Sequence, residues 1–168
     1  DRTPIFNTLL GQVMSKGDRM DYVIQKAVEL GVSNIQLLTS ERCEMRLKYE
    51  RDQKKIEHWQ AIAIAACEQC GMNRVPQILA PISLHDWLAS DLPSTKLVLA
   101  PNKEQIDVLA NTTTDIALLI GPEGGLSDAE ISLSNQAGFI NWCIGNRVLR
   151  TETAPIVALS ILNYNVTG

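Results

Sequence analysis

Ile116-Ala117-Leu118-Leu119-Ile120-Gly121-Pro122-Glu123-Gly124-Gly125-Leu126-Ser127-Asp128-Ala129-Glu130 holds an apolar run, a glycine-rich turn and a helix start in one unbroken stretch. The apolar run reads as a strand. Ser127 followed three residues later by Glu130 has the pattern of a capping box, in which hydroxyl and carboxylate satisfy backbone donors reciprocally. Outward from this unit the same alternation recurs. Strands are expected at residues 6–10, 35–38, 75–79, 97–100, 116–120 and 140–144. A helix is expected over residues 18–30, with Val23, Ile24, Ala27 and Val28 on one face and Gly31 as the stop. A longer helix over 52–70 carries Ile56, Trp59, Ala63, Ala66, Cys67 and Cys70 at helical spacing and ends at Gly71. Ser83-Leu84-His85-Asp86 is a second capping pattern, and residues 154–164 read as a final helix, apolar on most sides and therefore buried. Strand–helix alternation of this kind predicts an α/β fold, a mostly parallel sheet with helices on both faces.

The 168 residues suit one domain with a substantial core. Hydrophobic content of 45% with 20% charged residues excludes the disordered and fibrous classes. No apolar run is long enough to cross a bilayer, and Asp1-Arg2-Thr3-Pro4 does not open a secretory signal. Strand character begins almost at once, as expected of a chain that starts partway through a longer protein. The net charge of −4 argues against a whole-surface nucleic-acid binder but not against a local basic face. Such a face is only hinted at between residues 41 and 55, where six basic side chains meet four acidic ones. Cys67-Glu68-Gln69-Cys70 has redox or half-zinc spacing, yet His58 and His85 stand at no ligand spacing. Cys43, Cys67, Cys70 and Cys143 are few for this length, the Cys67–Cys70 pair is read as small, buried or half-buried thiols on a helix in a reducing cytoplasm, and no metal is expected.

Ligands of open parallel sheets bind beyond the carboxyl ends of the strands. Three loops qualify: Leu99-Ala100-Pro101-Asn102, the turn Gly121-Pro122-Glu123-Gly124-Gly125, and residues 144–153. The glycine turn lacks both the lysine of a phosphate loop and a dinucleotide fingerprint. Glu123 would repel phosphate, so a neutral or cationic ligand suits it better. In the third loop Arg147 and Arg150 offer planar donor sets for phosphate or carboxylate, while Thr151 or Thr153 can cap the last helix. Arg74 stands at the start of a strand and is, taken singly, a surface residue.

Lys16-Gly17-Asp18-Arg19-Met20-Asp21, Gln25-Lys26-Ala27-Val28-Glu29-Leu30-Gly31-Val32, Glu68-Gln69 and Asn73-Arg74-Val75-Pro76 recur in one order with the glycine turn. Arg147-Val148-Leu149-Arg150-Thr151-Glu152-Thr153-Ala154 completes the series. In these residues the chain resembles the ribosomal RNA small subunit methyltransferase E family of the SPOUT superfamily. The resemblance implies a C-terminal trefoil knot, which general rules of chain threading would not suggest. It also implies S-adenosyl-L-methionine as cofactor, methylation of N3 of a uridine in 16S rRNA of the small ribosomal subunit, a cytoplasmic role in ribosome biogenesis, and a homodimer. The cofactor-binding residues it implies are Leu99, Ala100 and Pro101 in the first loop and Ile120, Gly121, Pro122, Glu123, Gly124 and Gly125 in the second. In the third they are Ile144, Gly145, Arg147, Val148, Leu149, Thr151, Thr153 and Ala154. Arg74 and Arg150 are implied to contact base or phosphate, and Glu123 and Glu152 to accept or orient the proton. By the same resemblance residues 1–15 are a linker or the trailing edge of an absent N-terminal β-rich RNA-binding domain, and 16–168 are the knotted domain. Met72 stands where the family pattern suggests a basic residue. Donor binding is thus expected to be nearly intact and RNA methylation slow or absent. Two other readings remain open: a SPOUT enzyme acting on a ribose hydroxyl or another base, and a non-catalytic nucleotide-binding or RNA-binding α/β module.

Overall fold

A computed structural model describes residues 7–15, 18–41, 49–71, 73–100, 115–122 and 124–142, with backbone alone for 49–52. Its strands are β1 (Thr8–Val13), β2 (Asn34–Thr39), β3 (Gln77–Ser83), β4 (Thr95–Leu99), β5 (Ile116–Ile120) and β6 (Ile140–Trp142). Its helices are α1 (Asp18–Glu29), α2 (Tyr49–Cys70), α3 (Leu84–Leu88) and α4 (Asp128–Gln136). The strands form one sheet in the order β3-β2-β1-β5-β4-β6, and every pair is parallel.

Each step from β1 through α1 to β2, and through α2 to β3, moves one strand in the same direction. The step from β5 through α4 to β6 passes beyond β4 the other way. With right-handed crossovers, this reversal places α1 and α2 on one face and α4 on the other. The expected α/β sheet with two helical layers is therefore what the chain forms. Central β5 is buried at every residue, as a parallel strand covered on both faces must be. The edge strands β3 and β6 are partly exposed.

α1 turns Met20, Val23, Ile24, Ala27 and Val28 into the core. It stops at Gly31, whose φ of 89° is a left-handed turn that glycine adopts without Cβ strain. Trp59 of α2 is fully buried, and its indole N–H donates to Asp21 Oδ1 at 3.1 Å while His58 meets Asp21 Oδ2, joining α2 to α1. Trp87 of α3 lies against Phe139 with ring centroids 5.5 Å apart. The Trp87 ring also covers Gly11 of β1 so closely that a Cβ there would fall 2.4 Å from a ring carbon.

The expected elements recur with shifted ends. β5 matches at both ends and α1 to within a residue. β1 runs on to Val13, because Gly11 and Gln12 pair with both neighbours. β3 begins at Gln77 and continues past Pro81 to Ser83. Pro81 brings no N–H, the register with β2 shifts there, and Gln36 Nε2 donates to the Ala80 carbonyl at 2.7 Å. Cys67 and Cys70 lie on the last turn of α2, neither in a disulfide, and the Cys67 thiol donates to the Arg74 carbonyl at 3.4 Å. The knot, the final helix and the surface segment expected after Pro101 fall outside the described residues, as do Cys43 and Cys143.

Gly11→Ala is expected to destabilise the fold by about 1–3 kcal/mol, since the Trp87 ring must move to admit a methyl group. Denaturant unfolding measures this, and a midpoint equal to that of the parent chain would contradict the packing described.

Candidate functional site at the carboxyl edge of the sheet

Because all six strands are parallel, the loops that follow them leave from a single edge. β5 lies between β1 and β4, and β6 lies beyond β4. Val98 is level with Leu119 and Leu99 with Trp142, so the ends of β4, β5 and β6 are aligned. The Ala100 N–H donates to the Trp142 carbonyl at 3.1 Å and holds the end of β4 to that of β6.

The glycine turn leaves the middle of this edge. The Gly125 N–H closes it on the Pro122 carbonyl at 2.8 Å, and Gly125 has a φ of 74°. Gly121 has a different reason to lack a side chain: a Cβ would lie 2.9 Å from Leu126 Cγ and 3.1 Å from the Leu126 nitrogen. The turn delivers the chain to Ser127, whose Oγ accepts from the Glu130 N–H at 3.1 Å. Glu130 Oε1 in return accepts from the Ser127 N–H at 3.0 Å. The expected capping box is complete. Glu130 is 6% exposed, and its Oε2 accepts from the Glu41 N–H at 3.2 Å. One carboxylate thereby anchors the start of α4 to the segment after β2, where it also complements the helix dipole. At Ser83 the hydroxyl likewise accepts from the Asp86 N–H at 3.0 Å.

Of the residues expected to bind a cofactor, Leu99, Ala100, Ile120, Gly121, Pro122, Gly124 and Gly125 come together on this edge. Arg74 does not join them. It is exposed and precedes β3, at the opposite, amino edge of the sheet. With about 3.3 Å per residue along β3 and three strand spacings of about 4.8 Å across to β5, the two places are on the order of 25 Å apart. Pro101, Glu123, Ile144, Gly145, Arg147, Val148, Leu149, Arg150, Thr151, Glu152, Thr153 and Ala154 lie outside the described residues. Among the described residues, no three His, Cys, Asp or Glu side chains gather as a metal site.

One residue of this edge was not singled out from the sequence. Gln12 of β1 is level with Ile120 and fully buried. Its Nε2 donates to the Val13 carbonyl at 3.1 Å and, at 3.5 Å, to the Gly121 carbonyl. The available signal was a long polar side chain inside the run Leu9-Leu10-Gly11-Gln12-Val13-Met14. The titration shift resolved among the described groups lies elsewhere: Glu29, bonded to Lys26 at 2.9 Å on α1, raises that ammonium's pKa.

Gly121→Ala is expected to lower stability by about 1–3 kcal/mol, because its Cβ meets backbone as well as side chain at Leu126. Calorimetric melting tests this, and an undiminished Tm would contradict the close approach.

Comparison with known proteins gives this edge a context. The family described as RNA methyltransferase domain matches residues 1–163. The chain is 43% identical over 155 residues to ribosomal RNA small subunit methyltransferase E of Buchnera aphidicola subsp. Schizaphis graminum, covering 91% of this chain and 63% of that protein. It is 33% identical over 159 residues to the protein of that name from Mesomycoplasma hyopneumoniae, covering 94% and 69%. A solved methyltransferase from Legionella pneumophila, in complex with bound cofactor SAM, superposes with a TM-score of 0.92 at 42% identity, covering 98% of this chain and 68% of that one. The ribosomal RNA small subunit methyltransferase E of Neisseria gonorrhoeae bound to S-adenosyl methionine gives 0.87 at 40% identity, covering 95% and 66%. An RNA 2'-O ribose methyltransferase shares the fold alone, at 14% identity and a TM-score of 0.61. The chain spans 63% and 61% of the lengths of two Buchnera relatives. With sequence, fold and edge geometry in agreement, the chain belongs to the RNA methyltransferase domain family and, within it, to the ribosomal RNA small subunit methyltransferases E.

Proposed function

We propose that the chain is the catalytic domain of an S-adenosylmethionine-dependent methyltransferase acting on N3 of a uridine in 16S rRNA. The observation that carries this reading is the alignment of the ends of β4, β5 and β6 around the turn from Gly121 to Gly125. The edge suits the methyl donor chemically. Strand carbonyls and a glycine turn offer backbone acceptors to a cationic molecule, and among the described residues the buried Gln12 Oε1 beside Gly121 has no donor of its own. When bound, S-adenosylmethionine supplies an electrophilic methyl group on a sulfonium.

The residues of this edge bind and orient, with Leu99, Ala100, Ile120, Gly121 and Pro122 forming the wall between strands and turn. By family resemblance, Ile144, Gly145, Val148 and Leu149 complete that wall, and Arg150 faces the uracil. An arginine there stabilises negative charge developing on the carbonyls as N3 loses its proton. Glu123 or Glu152 accepts that proton. The uridine must be unpaired to present N3. Arg74, at the other edge, contacts RNA phosphate at a distance from the reacting base. The donor-binding domain takes in β1 as well as the residues from 16 onward, since β1 pairs with both β2 and β5, and the enzyme works in the cytoplasm.

Titration calorimetry on the 168-residue polypeptide is expected to show S-adenosylmethionine binding. Methyl-labelled donor is expected to mark 16S rRNA slowly, with 3-methyluridine as the product nucleoside. A folded sample without donor affinity would overturn the assignment, and label on ribose would move it to the 2'-O class. Arg150→Ala is expected to keep donor affinity and slow transfer by about 10²–10³-fold.

A homodimer is part of the same proposal, formed through α1 and residues 154–164. α1 buries its inner face in this domain, yet Tyr22 on its outer side is 43% exposed beside a groove of about 440 Å³ against α2. Light scattering at micromolar concentration is expected to return the mass of a dimer, and a monomer mass would remove this part of the account.

A further inference from the structure

Strand ends of open α/β sheets offer their best-formed crevice where the winding direction reverses. Here that place is between β1 and β5, since α1 leaves β1 toward β2 while α4 leaves β5 toward β6. Among the described residues, two buried polar atoms at the carboxyl end of β1 have no hydrogen-bond partner: Oε1 of Gln12, 0% exposed, and Oγ of Ser15, 1% exposed. Gln12 is held in one orientation. Its Nε2 faces the carbonyls of Val13 and Gly121, so an exchange of nitrogen and oxygen would set three acceptors against one another. Oε1 therefore points away from both carbonyls, as a fixed acceptor beside the first residue of the glycine turn.

Buried amide oxygens are costly to leave unbonded, and the exceptions call for a specific explanation. We propose that Gln12 is a ligand-binding residue, whose Oε1 accepts a hydrogen bond from an amino or hydroxyl group of the bound methyl donor. The inference rests on the proposed function. The side chain then has two tasks that a hydrocarbon of the same size could not perform. Its Nε2 fixes the carbonyl of Gly121 at the mouth of the turn, and its Oε1 reads a donor group on the ligand. It takes no part in proton transfer, because a neutral amide is no base at N3 of a uridine.

The test uses the 168-residue chain with ¹⁵N,¹³C-labelled glutamine side chains, the Gln12 signals being assigned by their loss in Gln12→Met. S-adenosylhomocysteine and 5'-methylthioadenosine, which lacks the ammonium group, are titrated in parallel. Movement of the Gln12 amide signals with both ligands places the hydrogen bond on the adenosine half, and movement with S-adenosylhomocysteine alone places it on the ammonium. Either result supports the proposal. Saturation with both ligands while the Gln12 signals stay fixed overturns it and leaves the proposed function standing. Absence of binding by either ligand to the folded parent chain overturns both. Gln12→Met, close in volume, is expected to bind S-adenosylhomocysteine about tenfold more weakly, the loss of one hydrogen bond. An affinity within about twofold of the parent's, in a variant that melts like the parent, would also overturn it.

Discussion

Five residue pairs, from Thr8 against Ile116 to Gln12 against Ile120, join the β3-β2-β1 half of the sheet to the β5-β4-β6 half. The other features of the carboxyl edge depend on this seam. It sets β5 in the middle of the sheet, where both of its faces are covered, and so brings the glycine turn out at the centre of the edge. A slip of one residue would turn the side chains of β5 to the wrong faces and move Gly121 away from Gln12. The β4–β5 and β4–β6 ladders then align two more strand ends with that turn. Glu130, bonded both to its own cap and to the Glu41 backbone, fixes the direction in which the chain leaves.

Much of this was legible in the sequence where local and long-range demands agree. β5 is bounded by Asp115 and Gly121, two residues that punctuate an apolar run, and its ends were read correctly. Asp115 accepts from the Asn7 N–H at 2.9 Å, so the punctuation is also a tertiary contact. The capping box at Ser127 is a local device and could be read from spacing alone. Strand ends set by distant partners were less visible. β1 was expected to end at Leu10, yet Gly11 is the place where the Trp87 ring lies on the sheet, a contact between residues far apart in the chain. β3 also runs on past Pro81, which an edge strand tolerates, and Gln36 Nε2 donates to the Leu37 and Ala80 carbonyls beside the irregularity.

The candidate site shows the same division. The glycine turn and the alignment of three strand ends follow from the strand pattern together with the rule that ligands lie beyond carboxyl ends. Gln12 was hidden because a polar residue inside an apolar run has no local signature of its role. Its meaning depends on Gly121, more than a hundred residues away. Arg74 shows the opposite case. Its type suggests chemistry, but only the topology reveals that it stands at the amino edge, away from the turn. The net charge of −4 suits the cationic methyl donor proposed for this edge.

The central claim is that the carboxyl ends of β4, β5 and β6 form one binding surface for a methyl donor. A crystal structure of the chain with S-adenosylhomocysteine tests it most directly. The account predicts the ligand against Leu99, Ala100, Ile120 and Gly121, held largely by backbone groups, with Gln12 Oε1 within hydrogen-bonding distance. Density for the ligand at the amino edge of the sheet, or in the groove between α1 and α2, would contradict it.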